Sequence, residues 1–201
     1  MNDSRLHRVF LRDLFRARRP DAIVDSDVRF ETVLGRAEFS RLAGASALPG
    51  EPAVRQLASS SDYRVFVALR GDRVAAVCCV RLGRPAWPGA DVAADVYSEP
   101  RVARLVHVSS RPEAGGDALV PPLLEHVCWQ LRRLGYARCE ARVWHNHDAD
   151  ADALERCGWS PRAISDPGRG ARPLRWVRDG HISAPPLPRR CAGVGLARAD
   201  L

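Results

Sequence analysis

The chain has 201 residues, of which 46% are hydrophobic, and its 31 basic and 24 acidic side chains give a formal net charge of +7. This hydrophobic fraction excludes an intrinsically disordered chain, and the length suits one domain with short appendages. The longest apolar run, residues 74–80, is far shorter than the roughly 20 residues of a membrane-spanning helix, and polar residues follow Met1 directly. We therefore expect neither a transmembrane nor a secretory segment.

The charge distribution gives limited information about partners. All basic side chains other than histidine are arginine, and they are interspersed with Asp and Glu along most of the chain. This mixing indicates a solvated surface that carries both positive and negative charges, so the net positive charge alone does not predict nucleic-acid binding.

The cysteine pattern predicts reduced thiols. No pair has the C-x-x-C spacing of a redox or zinc motif, so we expect free, buried cysteines and a cytoplasmic location. Cys78 and Cys79 are adjacent and would face opposite sides of a sheet if they lie on one strand. The cysteines are Cys78, Cys79, Cys128, Cys139, Cys157 and Cys191.

The first segment, residues 4–19, has the spacing of an amphipathic helix. Its opposite face is rich in arginine, and Pro20 stands just beyond its end. We predict a basic helix within residues 1–20 that packs on the domain and does not bind DNA. The apolar stripe consists of Leu6, Val9, Phe10, Leu14 and Ala17.

Residues 21–180 are predicted to form the main domain. Apolar spacing within residues 27–58 indicates one short strand and one or two helices. Residues 181–201 are rich in Pro and Gly and lack periodicity, so we expect a disordered tail.

The middle of the chain changes to a strand-like pattern. Residues 64–69 and 74–82 are rich in β-branched and apolar side chains, and Gly71-Asp72 between them suits a tight turn. This pattern predicts an antiparallel hairpin. A Pro-containing loop over residues 83–98 and a third strand over residues 102–108 are expected to follow.

The next segment predicts a helix, a strand and a short second helix. The amphipathic helix ends at Leu134, and Gly135 stands where a helix C′ glycine is expected. Apolar and polar residues then alternate up to Trp144, which predicts a strand, and a short polar helix over residues 148–156 follows. A last strand is expected over residues 174–177.

This order of elements carries two motifs. After the strand, Val108-Ser109-Ser110 leads to the loop Glu113-Ala114-Gly115-Gly116-Asp117-Ala118. After the next strand, Asn146 precedes a helix that ends in Gly158-Trp159. Over residues 28–177 the chain thereby resembles the GNAT superfamily of acyl-CoA N-acyltransferases, in which V-x-P and R/Q-x-x-G-x-G/A occupy the first of these positions.

The resemblance implies the fold and the cofactor. The fold would be α/β, with a mixed, mostly antiparallel central sheet flanked by helices and with splayed strands at the cofactor site. The co-substrate would be acetyl-CoA or another acyl-CoA, whose pyrophosphate is held by backbone N–H groups at a helix N-terminus. The implied cofactor-binding residues are Val106, Val108, Arg111, Gly115, Gly116, Asp117, Ala118 and Asn146.

The loop departs from the family pattern in its charges. Glu113 stands at the usual Arg or Gln position, and Asp117 adds a second acid that would oppose a phosphate. Pro121 and Pro122 are expected in the first turn of the helix, where they would remove two N–H donors.

The resemblance also implies a general base on the strand before the loop. His107 is the titratable candidate there, because a histidine of ordinary pKa near 6.5 accepts a proton at neutral pH. Asp95 and Glu99 are the alternatives. Leu154 stands where the family often has a tyrosine that protonates the departing thiolate.

A metal site is not expected. His145, Asn146 and His147 are followed by several aspartates, but adjacent strand positions project apart and no second ligand cluster has zinc-like spacing. Asp148, Asp150 and Asp152 suit the acidic first turn of a helix instead.

The sequence therefore predicts an N-acetyltransferase or other N-acyltransferase that acts on an amine of a small molecule or a protein. Membrane and nucleic-acid partners are not expected, and a homodimer is an open alternative. Two other functions stay open: a degenerate GNAT-fold protein that binds CoA or a regulatory partner, and a nucleic-acid-binding accessory protein that uses the first helix.

Overall fold

The computed structural model describes one mixed sheet with helices on both faces. The described residues are 7–15, 17, 27–43, 51–83, 101–144, 147–165, 175–178 and 181–182.

The described part of the chain contains strands, α-helices and one 3₁₀ turn. The strands are β1 (His7–Asp13), β2 (Val28–Val33), β3 (Tyr63–Arg70), β4 (Arg73–Arg81), β5 (Val102–Ser110), β6 (Arg138–Trp144), β7 (Ser160–Ser165), β8 (Arg175–Arg178) and β9 (His181–Ile182). The helices are α1 (Arg36–Ala43), α2 (Glu51–Leu57), α3 (Gly116–Arg133) and α4 (Asp148–Arg156), and a 3₁₀ turn covers Pro112–Ala114.

The sheet has the strand order β2-β3-β4-β5-β6-β1-β7, and β8 pairs with β5 and β9. Most neighbours are antiparallel, whereas β5 is parallel to β6 and to β8. The predicted fold class, a mixed and mostly antiparallel sheet flanked by helices, is confirmed.

Each face of the sheet buries its own apolar cluster. The larger cluster joins the sheet to α3 and α4 and includes Cys78, while the smaller one joins it to α1 and α2 and includes Cys79. The predicted opposite orientation of these two cysteines is therefore confirmed. Cys128 and Cys139 are also buried free thiols, Cys157 is half-buried, and Cys191 lies outside the described residues.

The first segment is a strand, so the predicted helix over residues 4–19 is wrong. β1 pairs antiparallel with β6 on one side and with β7 on the other, and Phe10 lies opposite both Ala141 and Pro161. Pairing on both sides satisfies the backbone N–H and C=O groups of β1, and this tertiary pairing overrides the helical spacing of its apolar residues. Two arginines of β1 make ion pairs, Arg8 with Asp148 and Arg12 with Glu125.

The other elements follow the sequence predictions closely. α3 ends as expected: the N–H groups of Gly135 and Tyr136 donate to the carbonyls of Arg132 and Leu131, and Gly135 has a φ of 82°. This is the Schellman arrangement, in which glycine adopts the left-handed conformation without strain. β8 confirms the predicted last strand with a shift of one residue, whereas β7 was not predicted. β9 forms the first two residues of the segment 181–201, so the prediction of a disordered tail is wrong at residues 181–182, where pairing with β8 orders the backbone.

Several predicted features lie outside the described residues. They are most of the loop over residues 83–98, Asp95, Glu99, His145, Asn146 and residues 183–201. Within the described part of the chain, no helix combines the length and the apolar content needed to cross a membrane.

Candidate functional site

The parallel strands β5 and β6 separate halfway along their length. Their pairing runs from Val102 opposite Arg138 to Leu105 opposite Ala141. At this point β5 contains an irregularity, because Leu105 pairs with Val80 of β4 and His107 pairs with its neighbour Cys79. The extra residue of this bulge bends β5, so the strands diverge beyond it.

β8 lies along the diverging half of β5. His107, Val108 and Ser109 pair in parallel with residues 175–177 of β8. Since β4 pairs with the other edge of β5 over the same residues, β8 uses the edge that faces β6. The gap between β5 and β6 therefore contains a short strand from the end of the chain.

His107 projects from the bulge toward the face that α1 and α2 cover. It lies opposite Cys79, which belongs to the cluster of that face, and its side chain is buried. The Nε2 atom of His107 lies 3.1 Å from the Oγ atom of Ser109, two residues along the same strand. This contact fixes the imidazole relative to the strand.

The glycine loop forms the connection from β5 to the N-terminus of α3. Within it, the N–H of Gly115 donates to the carbonyl of Pro112 at 2.8 Å, and the N–H of Gly116 donates to the carbonyl of Arg111 at 2.9 Å. The next two amides, of Asp117 and Ala118, occupy positions where an α-helix offers no internal acceptor. With the positive end of the helix dipole they form a donor set that suits an anion.

Gly116 is required for packing. A Cβ at this position would lie 2.7 Å from the backbone nitrogen of Arg111 and closer still to the carbonyl oxygen of Ala75. The same carbonyl of Ala75 accepts a hydrogen bond of 2.8 Å from the N–H of Arg111. The start of α3 is thereby held tightly against β4.

Charged side chains surround the loop. The carboxylate of Asp117 accepts a hydrogen bond from the Ser110 hydroxyl, and the carboxylate of Glu113 lies 3.6 Å from the Nε atom of Arg111. Arg70, at the end of β3, donates to the carbonyl of Ala114 at 3.1 Å. The loop therefore has two acids and two guanidinium groups in contact with its own residues or with the strand that precedes it.

Arg70 contacts the glycine loop, and the sequence reasoning missed it. It lies more than 40 positions before the loop in the sequence, and the antiparallel order β3-β4-β5 brings it to the start of α3. Arg70 ends β3, the first strand of the predicted hairpin. In an antiparallel sheet this end of β3 lies near the loop that follows β5, and that position could have identified Arg70 from the sequence.

The prediction that Pro121 and Pro122 lie in the first turn of the helix is wrong. α3 begins at Gly116, so Pro121 and Pro122 lie in its second turn. They leave the amides at the helix N-terminus intact, and the N–H groups that they lack would have bonded to the carbonyls of Asp117 and Ala118. The glycine loop itself thus starts the helix.

The structure brings most of the predicted site residues to one end of β5. Besides His107, two of them have buried side chains: Val108 lies in the cluster under α3, and Arg111 is 3% exposed. Leu154, at the position where a tyrosine was considered, is fully buried in the same cluster as Val108. The predicted residues at this end are Val106, His107, Val108, Arg111, Gly115, Gly116, Asp117 and Ala118.

Two aspartates of α4 contact basic side chains. Asp148 pairs with Arg8, and the carboxylate of Asp150 lies 3.6 Å from the Nδ1 atom of His147. Asp148 and Asp150 occupy the first helical turn, as expected for acids near a positive helix end, whereas Asp152, also predicted there, lies in the second turn.

No protein family and no curated protein matches the sequence. The chain is similar to the solved structure of an aminoglycoside acetyltransferase from an uncultured soil metagenomic sample, in complex with sisomicin. The identity is 14%, the TM-score is 0.48, and the match covers 67% of this chain and 90% of that chain.

Two further solved structures are similar at the same level. One is a candidate GNAT-family acetyltransferase from Novosphingobium aromaticivorans, with 17% identity, a TM-score of 0.46, and coverage of 80% of this chain and 62% of that chain. The other is the Saccharomyces cerevisiae N-myristoyltransferase with bound myristoyl-CoA, with 8% identity, a TM-score of 0.47, and coverage of 89% and 51%. Similarities this weak assign no reaction to this chain. The three structures that it resembles are described as acyltransferases or candidate acyltransferases, and one of them is described as a member of the GNAT family.

Proposed function

We propose that this protein is an acyl-CoA-dependent N-acyltransferase, which transfers an acetyl or other acyl group to an amine of a small molecule or a protein. One observation carries the proposal: β5 and β6 diverge at a bulge, and the anion-binding start of α3 follows β5 at the same end. A gap between strands thus adjoins a phosphate site, which suits a long cofactor with a pyrophosphate in its middle. The cytoplasmic location expected from the cysteines is part of the proposal.

The residues around the loop fit the pyrophosphate of CoA. The amides of Asp117 and Ala118 would donate to it, while Arg70 and Arg111 bring positive charge to the same loop. Bound CoA would supply the activated acyl thioester. The remaining proposed cofactor-binding residues are Val106, Val108, Gly115, Gly116 and Asn146.

His107 is the proposed general base. In the reaction, the N–C bond of the product forms and the C–S bond of the thioester breaks. One amine proton goes to His107, and the thiolate takes a proton from solvent. Alignment of an amine with a thioester can supply about 7–11 kcal/mol of the barrier reduction, so we assign the larger share of catalysis to positioning by β5 and β6.

Calorimetric titration of the full chain with acetyl-CoA tests the proposal. Ligand binding to the folded state should also stabilise it by about 2.7 kcal/mol at a concentration one hundred times the Kd. Release of free CoA thiol in the presence of an amine library would then test transfer. Absence of both heat and thermal stabilisation at millimolar acetyl-CoA would contradict the proposal.

A matched pair of variants tests the location of the site. Ala118→Asp adds a carboxylate beside the two amide donors, and an acid in the first helical turn favours folding, so the variant should fold and lose most CoA affinity. Ala149→Asp makes the same change at an exposed position in the first turn of α4 and should bind CoA as the wild type does. Equal affinities of the two variants would contradict the proposed site.

A further inference from the structure

The position of β1 in the sheet limits where the strands that follow β7 can pair. β1 lies between β6 and β7 and is antiparallel to both. The edge of β6 that faces away from β5 is therefore filled by a strand from the start of the chain. The chain that follows β7 joins the sheet elsewhere, as β8 along β5.

β8 uses the backbone edge that borders the proposed acyl-CoA site. It pairs with residues 107–109 of β5, immediately after the bulge and on the side of the gap. Paired strands lie about 4.8 Å apart, so β8 fills the width of one extended chain beside β5. β9 pairs antiparallel with β8, and we call these two strands together the hairpin.

We propose that this hairpin is an autoinhibitory element that competes with acyl-CoA for the edge of β5. The inference rests on the proposed function. In the free protein β8 closes the gap between β5 and β6, and acyl-CoA binds when the hairpin leaves. In the closed form the backbone of His107 pairs with residue 175 of β8.

The hairpin is small enough to be displaced from β5. β8 has four residues and β9 has two, and only three residue pairs join β8 to β5. Short two-stranded hairpins are at best marginally stable alone, so the pairing with β5 is expected to open reversibly. The apparent affinity for acyl-CoA is then reduced by the fraction of molecules in the open form.

A strand-breaking variant tests the competition. Trp176→Pro combined with Val177→Pro removes two consecutive amide donors of β8, and one of them faces β5 because alternate strand residues bond to opposite neighbours. The control is Ala197→Pro combined with Ala199→Pro, which makes the same change in the same chain beyond β9. If the open form is about one tenth or less of the free protein, the β8 variant should bind CoA at least about tenfold more tightly than the control.

Hydrogen exchange gives a readout that does not depend on turnover. We expect the amides of residues 175–178 to be protected in the free wild type and to lose protection at saturating CoA. Protection of β8 that persists with CoA bound, or equal CoA affinities of the β8 variant and the control, would overturn the competition while leaving the proposed function intact. If no form of the protein binds CoA, the proposed function fails and the competition fails with it. Binding by the β8 variant alone would support both.

Discussion

The Ser110 hydroxyl, at the end of β5, donates a hydrogen bond to the carboxylate of Asp117, at the start of α3. This bond closes the glycine loop from strand to helix. It also holds a negative charge beside the positive end of the helix dipole, where the proposed function needs a phosphate. The carboxylate thus occupies, in the free protein, the electrostatic environment that the pyrophosphate would use.

Asp117→Asn should strengthen CoA binding. The amide oxygen can still accept from Ser110, while the charge that repels phosphate is gone. A charge near a helix terminus is worth roughly 0.3–1 kcal/mol, so we expect CoA affinity to rise about two- to fivefold and the free energy of unfolding to fall by a similar energy. Calorimetry at low ionic strength and urea denaturation measure the two effects.

Asp152→Asn is the control for this change, because Asp152 is an exposed acid on α4. It should leave CoA affinity unaltered. Weaker or unchanged binding by Asp117→Asn would mean that the start of α3 does not receive the pyrophosphate.

Gly116→Ala should destabilise the fold. Helix propensity alone favours alanine over glycine by about 1 kcal/mol. The added Cβ would instead meet the carbonyl oxygen of Ala75 and the backbone of Arg111, which cannot rotate away. We expect a loss of about 1–3 kcal/mol in the free energy of unfolding.

Denaturant unfolding of Gly116→Ala beside the wild type measures this loss. Ala118→Gly in the same turn serves as a control, since Ala118 is exposed and its replacement should cost only the propensity difference. A stabilised Gly116→Ala protein would contradict the close packing of α3 against β4.

The buried thiols should make stability fall at alkaline pH. Burial raises the pKa of the Cys128 thiol to about 12 and raises the pKa values of Cys78, Cys79 and Cys139 as well. In the unfolded chain a thiol ionises near pH 8.5. A thiol whose pKa is higher in the folded protein than in the unfolded chain stabilises the fold fully at pH values below its pKa in the unfolded chain. This stabilisation is lost as the pH rises toward its pKa in the folded protein.

Comparison of Cys128→Ala with the wild type isolates one of these thiols. Between pH 9 and 10.5 the free energy of unfolding of the wild type should fall by up to about 1.4 kcal/mol per pH unit more than that of the variant. Urea midpoints measured at several pH values give both slopes. Identical slopes would mean that Cys128 ionises in the folded protein.

His107→Ala should lower turnover by about 10²–10⁴-fold if the residue is the general base, with CoA affinity retained. Ser109→Ala removes the hydroxyl that contacts the His107 Nε2 atom and tests a positioning role. It should lower kcat by a smaller factor, leave KM for acyl-CoA unaltered and change the pH profile of kcat. If His107→Ala keeps wild-type turnover with the same pH profile, the histidine is a packing residue.

Local sequence patterns predicted most of the central elements because the residues within each of these elements favour its conformation on their own. α4 has the predicted bounds, and the C-terminal glycine ended α3 as expected. β1 could not be predicted in this way, because its strand conformation depends on pairing with β6 and β7, which follow it by more than 120 residues.

The site was predictable in part for the same reason. The residues of the glycine loop are contiguous, so a motif identifies them, and the structure brings them together at the start of α3. Arg70 and β8 reach the same region from distant parts of the chain through strand pairing. No local pattern encodes that pairing, so only the folded chain reveals both neighbours of the site.

A crystal structure of the full chain grown with saturating CoA tests the central claim most directly. The account predicts a pyrophosphate within hydrogen-bonding distance of the amides of Asp117 and Ala118, a cofactor arm between β5 and β6, and β8 displaced from residues 107–109. CoA bound at another surface, or a closed β5–β8 pairing with no CoA in the gap, would contradict it.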